Sequence, residues 1–315
     1  MIGILCSNEN EEILSEKLHN LFKATKKGTD DTIIVFTILN IDFLEKTVKG
    51  SLISGNVIQV ISVPLPTVIF NFSIQLKSKC IKARKQLEDI ENVELINNVN
   101  RFDQSMIMEI LSVSDTTVKY VLPYLIYDKN IEDLKLDEYK QYIGIPLKGT
   151  SIPNILYKKL QNVTDNVIET NCFKKKSYHG FTKAALFQRK RILIEVPELV
   201  TNKDEPVVIR TYVQRNYGKN WTVLGRSVFS EYDFTKEITF EEIDEITLNT
   251  IRYINNYIPS LGACFIDLLL STEGKIYFLH LGGIGEAFFE LPQEKDFYIR
   301  FYKNMIKLAS YLNYA

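Results

Sequence analysis

Two polar side chains interrupt apolar runs near the end of the chain, and both types could take part in metal binding or acid–base chemistry. Asp267 lies in the run 261–270, and His280 lies in the run 275–285. The four residues that separate the runs end at Gly274, which can supply the positive φ of a tight turn. A polar group in a buried strand costs free energy unless it is paired or coordinates an ion. The sequence therefore predicts a β-hairpin that holds either a paired core contact or an ion site.

The composition excludes several classes of protein. The chain has 315 residues, of which 45% are hydrophobic, so we expect two domains or one large α/β unit with subdomains. Its 38 basic and 39 acidic residues give a net charge of −1, so neither nucleic acid nor a membrane is an expected partner. No apolar run reaches the ~18 residues of a transmembrane helix. The first six residues lack a basic flank and are predicted to form a strand, not a signal peptide.

Cysteine usage indicates a reducing compartment. The four cysteines form no CxxC pair, and the three histidines show no metal-ligand spacing with them. We therefore expect free thiols, no zinc site and a cytoplasmic location.

Hydrophobic periodicity predicts that the chain that carries Asp267 and His280 has a mixed α/β fold. In the first third, strands and helices alternate, which predicts a small, open, parallel sheet. The glycines there form no GxGxxG, so a dinucleotide site is not expected. The predicted strands are 2–6, 32–39, 57–63 and 67–70, the predicted helices are 11–26 and 74–90, and 42–46 is predicted to be a short helix.

The rest of the chain is predicted to contain fewer helices and more strands. We expect helices over 103–111, 131–139, 240–257 and 297–312, and strands near 142–146, 191–196, 206–215 and 221–229. The most basic segment, 173–180, is interpreted as a solvated turn; a phosphate contact is the minority alternative.

This order of elements resembles the ATP-grasp proteins, and it is most similar to the spore-coat-associated YheC/YheD type. Three segments carry the match: 68–71 after a proline pair, 206–226 with Arg210, and 261–279 with Asp267. The resemblance implies an α/β, ATP-grasp-like fold in three parts. These are an N-terminal Rossmann-like domain over 1–99, a central nucleotide-binding-like subdomain over 100–192, and a C-terminal subdomain over 193–315.

The resemblance also implies a site, which this sequence only partly retains. ATP-grasp ligases activate a carboxylate as an acyl phosphate and use Mg²⁺, which prefers oxygen ligands. The family's metal Asp falls on Asp267, but its bridging Glu falls on His280 and its Asn on Gly282. A lysine expected for the phosphates falls on Ile145. An imidazole is a poor Mg²⁺ ligand, and glycine offers no side chain.

Several residues remain candidates for such a site. They are Arg210 for the phosphoryl group, His280 as a base, Asp267 and Glu286 for metal, Lys148 and Lys183 for phosphates, and the hinge residues Glu195, Val196 and Glu198 for the nucleotide. The favoured alternative is that Arg210 forms a structural salt bridge with Asp267 or another acid and that His280 is a core histidine. The glycines at 282–285 favour a tight turn over a phosphate cradle.

Two functions from different classes follow. The first is a catalytically degenerate ATP-grasp-fold protein that needs no cofactor. It would act as a structural, binding or assembly component of the mother cell, spore coat or inclusion, with protein partners or self-association. The second is an active ATP- and Mg²⁺-dependent carboxylate–amine ligase acting on an amino acid or peptide. A nucleotide-binding module without turnover, using residues 195–198, is a weaker third.

Overall fold

Three β-sheets of four or more strands form the framework of the described structure. The computed structural model describes residues 1–7, 10–25, 32–55, 57–74, 77–127, 141–148, 155–158, 166–171, 174–179, 190–202, 205–217, 220–228, 239–290 and 295–314.

The first sheet has seven strands and is mixed rather than wholly parallel. Its strands are β1 Ile2–Cys6, β2 Ile33–Thr37, β3 Ile41–Asp42, β4 Thr47–Ser54, β5 Val57–Pro64, β6 Val68–Asn71 and β7 Glu94–Ile96. Strands β2, β1, β6 and β7 run parallel as expected, whereas β3, β4 and β5 add antiparallel strands beside β2. Helices α1, Glu11–Ala24, and α2, Ser78–Glu88, pack on opposite faces.

The predicted short helix over 42–46 is wrong. Asp42 Oδ1 accepts hydrogen bonds from the N–H groups of Leu44 and Glu45, both at 3.0 Å, so an Asx-type turn replaces the helix and starts strand β4. Strand β4 was not predicted. Its Gly50 allows close approach to β2, since a Cβ there would lie 2.3 Å from the Val35 carbonyl oxygen.

The second sheet is antiparallel and has six strands in the order β12-β11-β10-β9-β13-β8. The strands are β8 Tyr124–Tyr127, β9 Gln141–Pro146, β10 Ile155–Lys158, β11 Asn166–Asn171, β12 Lys174–His179 and β13 Arg191–Val196. The lysines predicted to occupy a turn therefore belong to an edge strand. Helix α3, Gln104–Ser112, precedes this sheet and agrees with the helix predicted over 103–111; the Asp103 side chain caps it by accepting from the Ser105 N–H. The helix predicted over 131–139 lies outside the described residues.

The third sheet is antiparallel, has the order β17-β16-β18-β19, and lies between two helices. Its strands are β16 Val208–Tyr217, β17 Asn220–Val228, β18 Ala263–Leu270 and β19 Ile276–Gly283, after the short pair β14 Thr201–Asn202 and β15 Glu205–Pro206. Helix α4, Phe240–Ile254, covers one face, and helix α5, Lys295–Tyr314, covers the other. The predicted hairpin is confirmed, with Gly274 at φ +77° in its turn. Short 3-10 helices span Ile38–Asn40, Val118–Tyr120 and Glu286–Glu290.

No helix among the described residues combines the length and apolar character needed to cross a lipid bilayer.

Asn97 joins the first sheet to the third. Its side-chain oxygen accepts from the N–H groups of Gly262 (2.6 Å) and Ala263 (3.0 Å), and its amide donates to the Ala263 carbonyl (2.6 Å) and to Asn100 (3.1 Å). The residue is buried and has φ +56°, a conformation that asparagine tolerates well. Asn97 therefore satisfies backbone groups at the start of β18 that would otherwise be buried without partners.

We predict that Asn97→Ala destabilises the chain by about 2–4 kcal/mol more than Asn92→Ala does. Both asparagines have positive φ, but Asn92 is exposed, so the control reports the backbone strain alone. Urea denaturation of both variants measures the difference. Equal losses of stability would contradict the role of the Asn97 hydrogen bonds.

Candidate functional site

Three neighbouring strands of the third sheet bring three predicted residues into one row. Arg210 on β16 lies opposite Asp267 on β18, and Asp267 lies opposite His280 on β19. A register shift after Asp267 leaves Leu279 without a partner in the ladder, the pattern of a β-bulge. Because cross-strand neighbours project from the same face, the three side chains form one cluster.

Arg210 and Asp267 form a bidentate ion pair in the interior. Arg210 Nε lies 2.7 Å from Asp267 Oδ1, and one terminal nitrogen lies 2.9 Å from Oδ2. Arg210 is 2% exposed and Asp267 is 0% exposed. Burial alone would raise the pKa of Asp267, but the charge and hydrogen bonds of Arg210 hold that pKa below its usual range. The carboxylate is therefore ionised, and both of its oxygens bind Arg210.

His280 is a neutral neighbour of this pair. Its Nδ1 lies 3.4 Å from Asp267 Oδ2, and the side chain is fully buried. Burial lowers the pKa of His280 below its ordinary value, against the opposing pull of Asp267. Within the described part of the chain, neither ring nitrogen has a hydrogen-bond partner of acceptable geometry. The imidazole is therefore held by packing more than by hydrogen bonding.

Phe265 covers the ion pair. It lies two residues before Asp267, on the same face of β18, and the Arg210 guanidinium carbon is 3.8 Å from the centre of its ring. The ring also occupies the space above Gly282, where an added Cβ would lie 1.9 Å from Phe265 Cζ. The position at which the resemblance expects an Asn ligand has no room for a side chain.

The predicted tight turn at Gly282 and Gly283 is wrong. Both glycines belong to β19, and the backbone of the loop after β7 passes close to the end of the strand. A Cβ on Gly283 would lie 2.5 Å from the Cα of Asn100. Close packing is therefore a sufficient reason for glycine at both positions.

An aromatic layer continues outward from Phe265. The Tyr212 ring, one row along the same face, has ring-centre distances of 6.2 Å to Phe265, 5.8 Å to Phe288 and 5.3 Å to Phe297. Phe297 belongs to helix α5, and Phe288 lies in the 3-10 helix after β19. The face that carries the charged row is thus packed against other elements of the protein.

Glu286 lies beside the first sheet. Its carboxylate accepts hydrogen bonds from the Ser7 N–H and from the Asn10 side-chain amide, just before helix α1 begins. A carboxylate is stabilised near a helix N-terminus. Its charge also adds to burial in raising the pKa of the Cys6 thiol. This geometry gives Glu286 a structural partner, and its metal role stays a prediction.

The nucleotide candidates fall on the second sheet and the link that follows it. Glu195 donates its N–H to the Pro123 carbonyl at 2.9 Å, and the Glu198 carbonyl accepts from the Thr272 N–H at 2.9 Å. Val196 is buried in β13, opposite Gln141. The Glu195 N–H and the Glu198 carbonyl therefore already have hydrogen-bond partners within the protein.

Of the two candidate lysines, the structure describes one. Lys148 is exposed and follows β9, while Lys183 lies outside the described residues. Among the described residues, no group of three or more His, Cys, Asp or Glu side chains is arranged to hold a metal ion.

Sequence reasoning missed Phe265 and Tyr212 as residues of the site. A signal was present, since Phe265 shares the alternation of Asp267 and Tyr212 shares that of Arg210. The cover depends on cross-strand register, which opposes Phe265 to Gly282. Periodicity within one strand does not contain that information.

We predict that Asp267→Asn lowers the free energy of unfolding by about 3–5 kcal/mol, because it leaves the buried Arg210 charge without its counterion. The double variant Arg210→Met with Asp267→Leu should lose much less. The control is Asp244→Asn, which breaks the partly exposed Arg226–Asp244 pair and should cost less than about 1 kcal/mol. Chemical denaturation measures all three. A double variant as unstable as the single one would contradict this account.

We predict that His280 makes stability fall with acid. Its folded-state pKa is depressed, so the unfolded chain binds more protons below the unperturbed value of about 6.5. Stability should therefore fall as the pH drops below about 6.5, by up to ~1.4 kcal/mol per pH unit for this group. His280→Leu should flatten that slope in urea titrations between about pH 5 and 8. Identical slopes for the two proteins would refute the prediction.

Comparisons with known proteins agree on the fold. No protein-family model and no curated protein matches this chain. Among solved structures it is similar to the D-alanine–D-alanine ligase from Coxiella burnetii (TM-score 0.57, 10% identity, covering 99% of this chain and 95% of that chain). It is also similar to the ATP-grasp ligase PsnB complexed with minimal precursor (0.54, 12%, 96% and 98%). A third is the RimK domain protein ATP-grasp from Sphaerobacter thermophilus DSM 20745 (0.53, 8%, 99% and 100%). At this level of sequence identity the similarity shows the fold alone. The chain has an α/β fold of the ATP-grasp type.

Proposed function

We propose that this chain is an ATP-grasp-fold protein without ligase activity, which acts as a binding or assembly component. The observation that carries the proposal is the closed state of the charged row. Arg210, Asp267 and His280 are all buried, and Phe265 covers the ion pair.

The charge arrangement opposes metal binding. Mg²⁺ needs several oxygen ligands, and a carboxylate in a metal site must direct an oxygen to the ion. Both oxygens of Asp267 already bind Arg210. A cation at this place would also sit beside the fixed positive charge of Arg210, and a neutral His280 adds no negative charge to offset it.

The packing opposes nucleotide binding. Phosphates need space and donors on the sheet face that carries Arg210, and Phe265 with Tyr212 fills that space. The hinge groups at Glu195 and Glu198 would have to exchange their present partners for an adenine ring. Each of these changes adds a conformational cost to the binding of ATP.

An active ligase is the alternative function, and the fold that the chain shares with ATP-grasp ligases supports it. In that case Arg210 holds the phosphoryl group, Asp267 and Glu286 hold Mg²⁺, and His280 acts as a base. The alternative requires the Arg210–Asp267 pair to open and Phe265 to move. An association with bacterial spores rests on the sequence resemblance alone and stays a prediction.

Isothermal titration calorimetry with Mg-ATP and Mg-ADP tests the proposal. We expect no saturable binding below millimolar nucleotide, and the Coxiella burnetii ligase serves as a reference for the assay. Micromolar, Mg²⁺-dependent binding that disappears in Asp267→Asn but persists in Asp244→Asn would overturn the proposal. Circular dichroism on both variants ensures that only folded protein is compared.

A further inference from the structure

Strand β5 is an open edge of the first sheet. It pairs with β4 from Val57 to Pro64, and no other strand among the described residues pairs with it. A strand in this position presents a row of backbone N–H and C=O groups that a further strand can bind.

This edge is apolar and has no charge. Between Val57 and Val63 the sequence contains no Lys, Arg, Asp, Glu or Pro. Val57 is 57% exposed and Val60 is 68% exposed, with Ile58 and Ile61 also at the surface. Exposed, uncharged, β-branched edges favour association with another strand.

Two other edge strands of the described sheets are protected. The sequence of edge strand β12 includes three consecutive lysines, Lys174 to Lys176, which disfavour pairing. At edge strand β19, the Gln104 side chain donates to the Leu281 carbonyl (2.9 Å) and accepts from its N–H (3.0 Å). The contrast indicates that β5 is left open for a partner strand.

We propose that β5 pairs antiparallel with β5 of a second copy of this chain, around a two-fold axis that is perpendicular to the sheet and passes midway between the two Val60 residues. The occupant is a second copy because the strand carries no charge that would repel its own image, and because its outward backbone groups match themselves.

The backbone register follows from the hairpin that joins β4 to β5. Ser54 and Val57 close a loop of two residues, so this pair exchanges both hydrogen bonds, and the pattern alternates along the strand. Val57, Gln59 and Ile61 therefore bind β4. The N–H and C=O groups of Ile58, Val60 and Ser62 point outward.

A two-fold axis at Val60 matches every outward group. Val60 then lies opposite Val60 of the other copy, and Ile58 lies opposite Ser62. Each of these pairs can exchange two backbone hydrogen bonds. Moving the axis to a neighbouring residue leaves some outward groups without partners.

Apolar and acidic side chains lie together above this seam. Ile58 and Val60 form the apolar floor of a groove of about 560 Å³, and Glu11, Glu12 and Glu16 of helix α1 form its wall. In the dimer the two α1 helices would stand about 20 Å apart, or four strand spacings. The glutamates line the inner side of each wall, so their carboxylates oppose the association, and added salt should strengthen the dimer by screening them. A seam of one strand pair is small, so we expect micromolar affinity.

Sedimentation equilibrium over a range of protein concentrations tests the proposal. Val60→Lys puts two positive charges at the axis and should weaken the dimer about 100-fold or more. Val113→Lys is the matched control, since Val113 is 72% exposed and lies beyond helix α3, and it should associate like the wild type. Circular dichroism checks that every variant is folded.

Charge complementation tests the register. Val60→Glu alone should be as monomeric as Val60→Lys, but an equimolar mixture of the two should form a heterodimer, because residue 60 faces itself across the axis. A wild-type chain that stays monomeric, a Val60→Lys variant that dimerises normally, or a mixture that does not associate would each overturn the proposal. A monomeric wild type would point to a strand of a different protein as the occupant.

Discussion

The third sheet depends on a buried ion pair between Arg210 and Asp267. Two charges in the interior lose their hydration, and they remain stable only while each satisfies the other. The bidentate geometry meets that condition. Phe265 stacks on the guanidinium, and Gly282 is required because the Phe265 ring occupies the adjacent space. The neutral state of His280 follows from the same burial.

This constraint links the fold to the proposed function. In the arrangement that the resemblance implies, one face of the third sheet would receive nucleotide and metal. Here that face packs against helix α5 through Tyr212, Phe265 and Phe297, so the same surface builds a core. An open cluster of carboxylates would repel itself, whereas a closed pair under aromatic rings stabilises the empty protein. The surface left for interaction then lies elsewhere, at the uncharged edge of β5.

Local sequence predicts much of this structure. The hairpin, its turn at Gly274 and the helices at 104–112 and 240–254 follow from periodicity and glycine placement. The interpretation of Arg210 as the structural partner of Asp267 follows from two lone charges in apolar strands. Local sequence does not predict that β4 and β5 extend the first sheet as antiparallel strands. A turn held by the Asp42 side chain replaces the helix that propensity favours there. Glu286 binds Ser7 across 279 residues of sequence, a separation that local patterns do not span.

The central claim is that the Arg210–Asp267 pair stays closed to cations and nucleotide. Mn²⁺ tests it at the site itself, because a bound paramagnetic ion broadens the NMR signals of nearby nuclei. The His280 ring is the reporter, since its Nδ1 lies 3.4 Å from Asp267 Oδ2. We expect the His280 ring signals to stay sharp when Mn²⁺ and ATP are added together at millimolar concentration. Selective broadening of His280, with the other histidines unaffected, would show metal at Asp267 and contradict the account.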